Sequence, residues 1–139
     1  MKRSIANLVV LLAAPLALAL TGCDGPALCA QVARDAGFPQ SSMVTAVAIG
    51  MAESGCKPDA TGTNPASGSC PHGSRDRGLW QINSCWHPEV SDECAYDPNC
   101  NAKEALRISN GGTDWSPWSA YKNGSYKQFL DEAEQAVGN

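Results

Sequence analysis

The fold is decided by residues 43–83, which read MVTAVAIGMAESGCKPDATGTNPASGSCPHGSRDRGLWQIN. Its first part is apolar on nearly every side, and a helix of that kind is normally buried. Gly55 is suited to end the helix, which leaves Glu53 in the last turn. Residues 57–76 are rich in Gly, Pro, Ser, Thr and Asn, a turn composition with room for at most a small irregular hairpin. The stretch predicts a central buried helix followed by an irregular lobe.

Helices are also predicted on both sides of this stretch. Ser41 and Ser42 are candidate caps for the central helix. Helical spacing of apolar residues, ended by glycines, predicts further helices over 27–36, from Leu79, over 101–109 and from Ser125 onward. The predicted fold class is therefore mainly α, of α+β type: a helical domain with a small irregular or β lobe inserted after the central helix.

The N-terminal residues read as an export signal. Two basic residues precede an apolar run, Leu8 to Leu20, that is too short and too rich in small residues for a comfortable membrane span. The run ends Leu20-Thr21-Gly22-Cys23, which resembles the lipobox of bacterial lipoproteins, where the cysteine becomes the lipidated first residue. We predict a lipoprotein signal peptide at 1–22 and a mature domain at 23–139. An ordinary signal peptide is the alternative, and both predict export.

The cysteine count supports export. Seven cysteines is an awkward number for an exported chain, but lipidation of Cys23 leaves six for three disulfides. About 15 connectivities are open to six cysteines. We favour the pairs Cys56–Cys70, Cys85–Cys94 and Cys29–Cys100. A zinc site from Cys70, His72, Cys85 and His87 is an alternative that export disfavours.

The charge excludes some partners. Without the signal peptide, eight basic and fourteen acidic residues remain, a formal charge of −6. Nucleic-acid binding needs clustered Lys and Arg and is not expected. Charge would not attract an anionic cell-wall polymer either, although a lipid anchor in the membrane would hold the domain near one.

Glu53 is the residue best suited to chemistry. A carboxylate at the end of a buried helix is unusual, and both burial and the negative end of the helix dipole would raise its pKa. A carboxyl that stays protonated near neutral pH is what a general acid needs to protonate a glycosidic oxygen. The alternative is a Glu that simply faces solvent at a frayed helix end.

Four motifs in order resemble a known family. They are Glu53-Ser54, Gly78-Leu79-Trp80-Gln81-Ile82-Asn83, Asp97-Pro98-Asn99-Cys100-Asn101 and Ala120-Tyr121-Lys122-Asn123-Gly124. They resemble the soluble lytic transglycosylase domain of the lysozyme-like superfamily. Asp76, five residues before Gln81, and Trp115-x-x-Trp118 also resemble c-type lysozymes. The resemblance covers residues 43–124.

The resemblance implies roles for individual residues. Glu53 matches the general acid, and Ser54 follows it in the motif. Gln81 and Asn83 match cleft positions that bind sugar amides and hydroxyls, with helix capping as the alternative. Tyr121 matches a tyrosine near the acid. The aromatic residues Trp86, Trp115 and Trp118 are candidate platforms for sugar rings, with core packing as the alternative.

Asp76 separates two mechanisms. In a retaining lysozyme a second carboxylate stabilises or traps the reacting sugar and water completes hydrolysis. A lytic transglycosylase typically lacks that Asp, and the C6 hydroxyl of the sugar attacks to give a 1,6-anhydro product. Asp76 fits the first pattern, although Arg75 and Arg77 beside it also suit a surface ion pair. The product is therefore left open.

The resemblance predicts an exported, membrane-anchored peptidoglycan glycosidase of the cell envelope. It would cut the β-1,4 bond between N-acetylmuramic acid and N-acetylglucosamine, as a monomer, with no metal or organic cofactor. A non-catalytic module that binds glycan or an inhibitor is the alternative. Ser54 lacks evident His and Asp partners, which argues against a serine hydrolase.

Overall fold

The structure, a computed structural model, describes residues 25–138. The predicted signal peptide and lipidated Cys23 lie outside the described residues. The helices are α1 Pro26–Ala36, α2 Gln40–Ser54, α3 Asp92–Tyr96, α4 Pro98–Ile108, α5 Ser119–Lys122, a 3₁₀ helix Ser125–Phe129 and α6 Leu130–Gly138; the strands are β1 Thr61–Asn64, β2 Ser74–Arg77 and β3 Ile82–Asn83. The mainly α, α+β fold with a small lobe after α2 is confirmed.

Helix α2 is the centre of the core. Its residues 46–49 are fully buried, and it packs against α1, α6 and the 3₁₀ helix. Gly55 ends it as predicted, in a left-handed conformation with φ 65° from which its N–H donates to the Met51 carbonyl. The predicted serine caps are wrong, because the N-cap position is Pro39 and the Ser42 hydroxyl donates back to the Pro39 carbonyl.

The lobe after α2 is a three-stranded antiparallel sheet in the order β1-β2-β3. Asp76 on the middle strand pairs with Gly62 on one side and Asn83 on the other. The helix predicted from Leu79 is wrong. Gly78 and Gln81 both have positive φ, 72° and 48°, and this turns the chain sharply into β3.

Asn101 fixes that turn from helix α4. The side chain is fully buried, and its Oδ1 accepts from the Trp80 N–H at 3.0 Å. Its Nδ2 donates to the carbonyls of Arg77 and Ala95, at 3.0 and 2.7 Å. The helix begins at Pro98, earlier than predicted, because Asp97 caps it through the Cys100 N–H. Asp97-Pro98-x-x-Asn101 therefore joins the helical part to the sheet.

The C-terminal helix also begins differently from the prediction. Residues from Ser125 first form the 3₁₀ helix, and α6 follows from Leu130. Within residues 25–138, no helix has the length and apolar character required to cross a membrane.

Three disulfides join the six predicted cysteines, but every predicted pair is wrong. The bonds are Cys29–Cys56, Cys70–Cys85 and Cys94–Cys100, in place of Cys56–Cys70, Cys85–Cys94 and Cys29–Cys100. Spatial neighbours decide the pairing: α1 lies against the end of α2, the loop after β1 lies beside the segment after β3, and α3 adjoins α4. Because Cys70 and Cys85 are bonded to each other, the zinc alternative built on them is also wrong.

Candidate functional site

A cleft of about 770 Å³ lies between the sheet and the helices. The sheet side contributes Asn64, Ser74, Asp76, Gln81, Ile82 and Asn83, and the helical side contributes Glu53, Trp118, Ser119 and Lys122. Trp86, His87 and the Cys70–Cys85 disulfide region line it as well. The two carboxylates singled out from the sequence therefore lie in the same cleft.

Glu53 occupies the last turn of α2 and is partly buried. Its Oε1 accepts from the Ala120 N–H at 3.0 Å, and in residues 25–138 it forms no ion pair. Burial raises the pKa of Glu53, the Ala120 hydrogen bond lowers it by less, and the negative charge of Asp76 raises it further. The net rise favours the neutral carboxyl that a general acid requires.

Asp76 is separated from its basic neighbours by the alternation of a strand. Arg75 and Arg77 point to the other face of β2 and both bind Asp92, at 2.7 and 2.8 Å. The alternative of an Asp76 ion pair with these arginines is therefore wrong. Asp76 presents its carboxylate to the cleft instead.

Two asparagine amides hold the Asp76 carboxylate. Asn64 Nδ2 donates to Oδ2 and Asn83 Nδ2 donates to Oδ1, each at 2.8 Å. The Oδ1 of Asn83 is also used within the protein, since it accepts from the N–H groups of Cys85 and Trp86. Asn83 thus orients Asp76 and shapes the turn after β3, in addition to lining the cleft.

Gln81 and Ser54 are tied to the backbone. Gln81 Nε2 donates to the carbonyls of Ala60 and Gly78, so its Oε1 is the atom left to accept from a ligand. The Ser54 hydroxyl donates to the Leu79 carbonyl at 2.7 Å and does not line the cleft. Ser54 therefore attaches the C-terminal end of α2, which carries Glu53, to the turn before β3.

The tryptophans divide between cleft and core. Trp86 is 62% exposed and lines the cleft. Trp118 is buried, lines the cleft, and donates from Nε1 to the Trp80 carbonyl. Trp115 lies in the core, stacked on Phe38 with ring centroids 5.8 Å apart, and not in the cleft.

Tyr121 follows Ala120, whose N–H donates to Glu53 Oε1. Its ring is 40% exposed and stacks on Tyr126 at 5.2 Å, and it does not line the cleft. The predicted motif Ala120-Tyr121 therefore contributes a backbone N–H to the acid.

Sequence reasoning missed Asn64, Lys122 and the Ala120 N–H as parts of the site. The role of Asn64 depends on the β1–β2 register, which brings it to the same face as Asp76. The contact from Ala120 is made by its backbone N–H, so its side-chain type could not have indicated it. Across the described residues, no group of three or more His, Cys, Asp or Glu side chains is arranged to hold a metal ion.

Comparison with known proteins identifies the family. A family profile described as "Lysozyme like domain" matches residues 30–120, about two thirds of the chain, from within α1 to the first residues of α5. No match was found among curated proteins or among solved structures. The profile match agrees with the α+β fold and with the resemblance noted in the sequence. The chain therefore belongs to the family of lysozyme-like domains.

Proposed function

We propose that the protein cleaves peptidoglycan glycan strands at the β-1,4 bond between N-acetylmuramic acid and N-acetylglucosamine, with Glu53 as the general acid. Membership of the lysozyme-like family indicates peptidoglycan-related glycosidase or binding activity. The observation that carries the finer proposal is Glu53 itself: a partly buried carboxyl with a raised pKa in a cleft large enough for a glycan.

Glu53 can act first as an acid and then as a base. The Ala120 N–H holds Oε1, which leaves Oε2 for the glycosidic oxygen. The neutral carboxyl donates its proton as the bond to the leaving sugar breaks. The resulting carboxylate can then take a proton from an attacking water.

Asp76 supports hydrolysis rather than formation of a 1,6-anhydro ring. Its two amide partners, Asn64 and Asn83, orient its oxygens, and the neighbouring Arg75 and Arg77 bind Asp92 instead. A carboxylate so placed can stabilise or trap the positive charge that develops on the reacting sugar. We propose a retaining hydrolysis in which water completes the reaction.

Digestion of purified peptidoglycan, with the released muropeptides analysed by mass spectrometry, tests this proposal. Wild type should accumulate fragments with ordinary reducing ends. Glu53→Gln should lower the rate by about 10²- to 10⁴-fold, the usual contribution of a general acid. Asp76→Asn should also lower it strongly. Glu132→Gln, on the exposed face of α6, is the matched control and should leave the rate unchanged.

The products also identify the alternatives. Fragments ending in 1,6-anhydro sugars would show that the C6 hydroxyl attacks and that Asp76 does not act as proposed. Glycan binding with no released fragments would contradict cleavage and identify a binding module.

We also propose that the protein is a membrane-anchored lipoprotein of the cell envelope. The family and the three disulfides indicate export to the envelope. The lipobox-like Leu20-Thr21-Gly22-Cys23 supports cleavage after Gly22 and lipidation of Cys23. Cys23→Ser should move the protein from the membrane fraction to the soluble exported fraction. Unchanged membrane retention would contradict a lipid anchor at this residue.

A further inference from the structure

Lys122 brings a positive charge to an acidic cleft. It is the last residue of α5, its side chain is exposed, and it lines the cleft together with Glu53 and Asp76. Among the described residues that line the cleft, it is the one Lys or Arg; the other titratable side chains there are the two carboxylates and His87. An anionic ligand entering the cleft therefore has one permanent cation to meet.

The charge of Lys122 is not used inside the protein. Arg75, Arg77 and Arg107 are bound by carboxylates, whereas Lys122 forms no ion pair within residues 25–138. An exposed lysine that forms an ion pair contributes little to the stability of the fold. Lys122 forms no such pair within residues 25–138, so binding a ligand would not require it to break one.

The position of Lys122 relative to the acid is fixed by α5. The Lys122 N–H donates to the Trp118 carbonyl at 3.2 Å, and the Ala120 N–H on the same short helix donates to Glu53 Oε1. The backbone that carries the cation is therefore hydrogen-bonded to the acid itself. A ligand group bound by Lys122 would lie on the acid's side of the cleft, across from the sheet.

The two sugars of the proposed substrate differ in charge. N-acetylglucosamine is neutral, whereas N-acetylmuramic acid carries a lactyl carboxyl that is either free or joined to a stem peptide with carboxylates of its own. We propose that Lys122 binds a carboxylate borne by N-acetylmuramic acid units and thereby makes the cleft prefer peptidoglycan to an uncharged N-acetylglucosamine polymer. This inference rests on the proposed function, since it concerns the same cleft and substrate.

The experiment measures binding, so that it does not depend on turnover. Glu53→Gln protein is mixed with three insoluble polymers: intact peptidoglycan, peptidoglycan stripped of its stem peptides, and chitin. The bound fraction is measured by sedimentation for Glu53→Gln protein and for the same protein carrying either Lys122→Met or Lys122→Arg. Lys103→Met, on the exposed face of α4 and outside the cleft, is the matched control.

Lys122→Met should weaken binding to peptidoglycan by about two- to fivefold, the range of a solvent-exposed ion pair. Chitin binding should stay the same, Lys122→Arg should restore most of the loss, and raising the salt concentration should abolish the difference. A loss on stripped peptidoglycan identifies the freed lactyl carboxylate as a partner, and a loss on intact peptidoglycan identifies a stem carboxylate. A loss on both polymers means that Lys122 binds either one.

Equal binding by Lys122→Met and its parent on both peptidoglycans would overturn the proposal, as would an equal loss on chitin. Failure of the proposed function is seen separately, in the absence of released fragments from wild-type protein. Cleavage with no effect of Lys122→Met would contradict this inference alone.

Discussion

The pKa of Glu53 is set by three effects that differ in sign. Burial at the end of α2 disfavours its charged form, and the nearby charge of Asp76 adds to that effect. The Ala120 N–H opposes both by stabilising the carboxylate. Because burial is the largest of the three, the neutral acid persists to a higher pH than it would in water.

The raised pKa of Glu53 predicts a pH dependence of both activity and stability. Cleavage should fall as pH rises through that pKa, because the proton to be donated is lost. A group whose pKa is raised on folding stabilises the fold below its ordinary value, 4.5, and loses that contribution as pH rises through the folded value. Glu53→Gln should therefore be more stable than wild type at pH 7 and no more stable below about pH 4.5.

Thermal unfolding of both proteins across this pH range measures the stability effect. The Gln side chain keeps an oxygen to accept from Ala120, so the comparison isolates the charge. A constant difference between the two proteins at every pH would show that Glu53 is not raised in pKa by burial.

At the residue scale, the sequence predicted the two carboxylates but not their partners. Glu53 stood out because charge is rare at the end of an apolar helix, and Asp76 because of its spacing from Gln81. Asn64 and the Ala120 N–H are brought to these carboxylates by tertiary contacts over 12 and 67 residues, which no local pattern encodes.

At the scale of elements, helix α4 and the turn before β3 form one unit. Asn101 satisfies three buried backbone groups, belonging to Trp80, Arg77 and Ala95. Gly78 in the same turn has φ 72°, and an added Cβ would collide with the Ala95 carbonyl. The turn that leads into the cleft wall is therefore specified by tight packing against α3 and α4.

Asn101→Ala should destabilise the protein by about 3 kcal/mol or more, because it leaves three buried polar groups without partners at about 1–3 kcal/mol each. Chemical denaturation measures this change. Asn99→Ala, an exposed residue two positions earlier on the same helix, is the control and should stay within about 0.5 kcal/mol of wild type. Similar stability of the two variants would contradict the role assigned to Asn101.

This unit also explains the wrong prediction of a helix from Leu79. The apolar run after Gly78 is short, and a short apolar run is a pattern shared by buried helices and buried strands. Gln81 adopts φ 48°, an uncommon value for a residue other than glycine, and its side-chain amide donates to the Ala60 and Gly78 carbonyls. Long-range partners therefore override the local pattern here. The long apolar run of α2 was predicted as a buried helix ending at Gly55, and only its N-terminal cap was predicted wrongly.

On the scale of the whole molecule, the disulfides stabilise a domain with a modest core. Cys29–Cys56 closes a separation of 27 residues and is buried at both ends, whereas Cys94–Cys100 closes only 6. The number of bonds followed from the cysteine count and export. Their pairing did not, because it depends on which helices lie side by side.

The stability lost on removing a single disulfide should increase with the length of the loop that it closes. Loop-closure entropy predicts losses of about 3.5 kcal/mol for Cys29–Cys56, about 3 for Cys70–Cys85 and about 2 for Cys94–Cys100. Double Cys→Ala variants, compared by denaturant unfolding under oxidising conditions, test the order. Since Cys29–Cys56 also fills the core, its loss should exceed the entropic value. A smaller loss there than at Cys94–Cys100 would contradict the ranking.

The pairing of Arg75 and Arg77 with Asp92 has a consequence for the orientation of Asp76. Side chains along β2 alternate, so sliding the hairpin by a single position would put a guanidinium where the carboxylate belongs and push Asp76 toward Asp92. Two like charges would then meet beneath the sheet. The ion pairs of Arg75 and Arg77 with Asp92 therefore favour the register in which the Asp76 carboxylate faces the cleft.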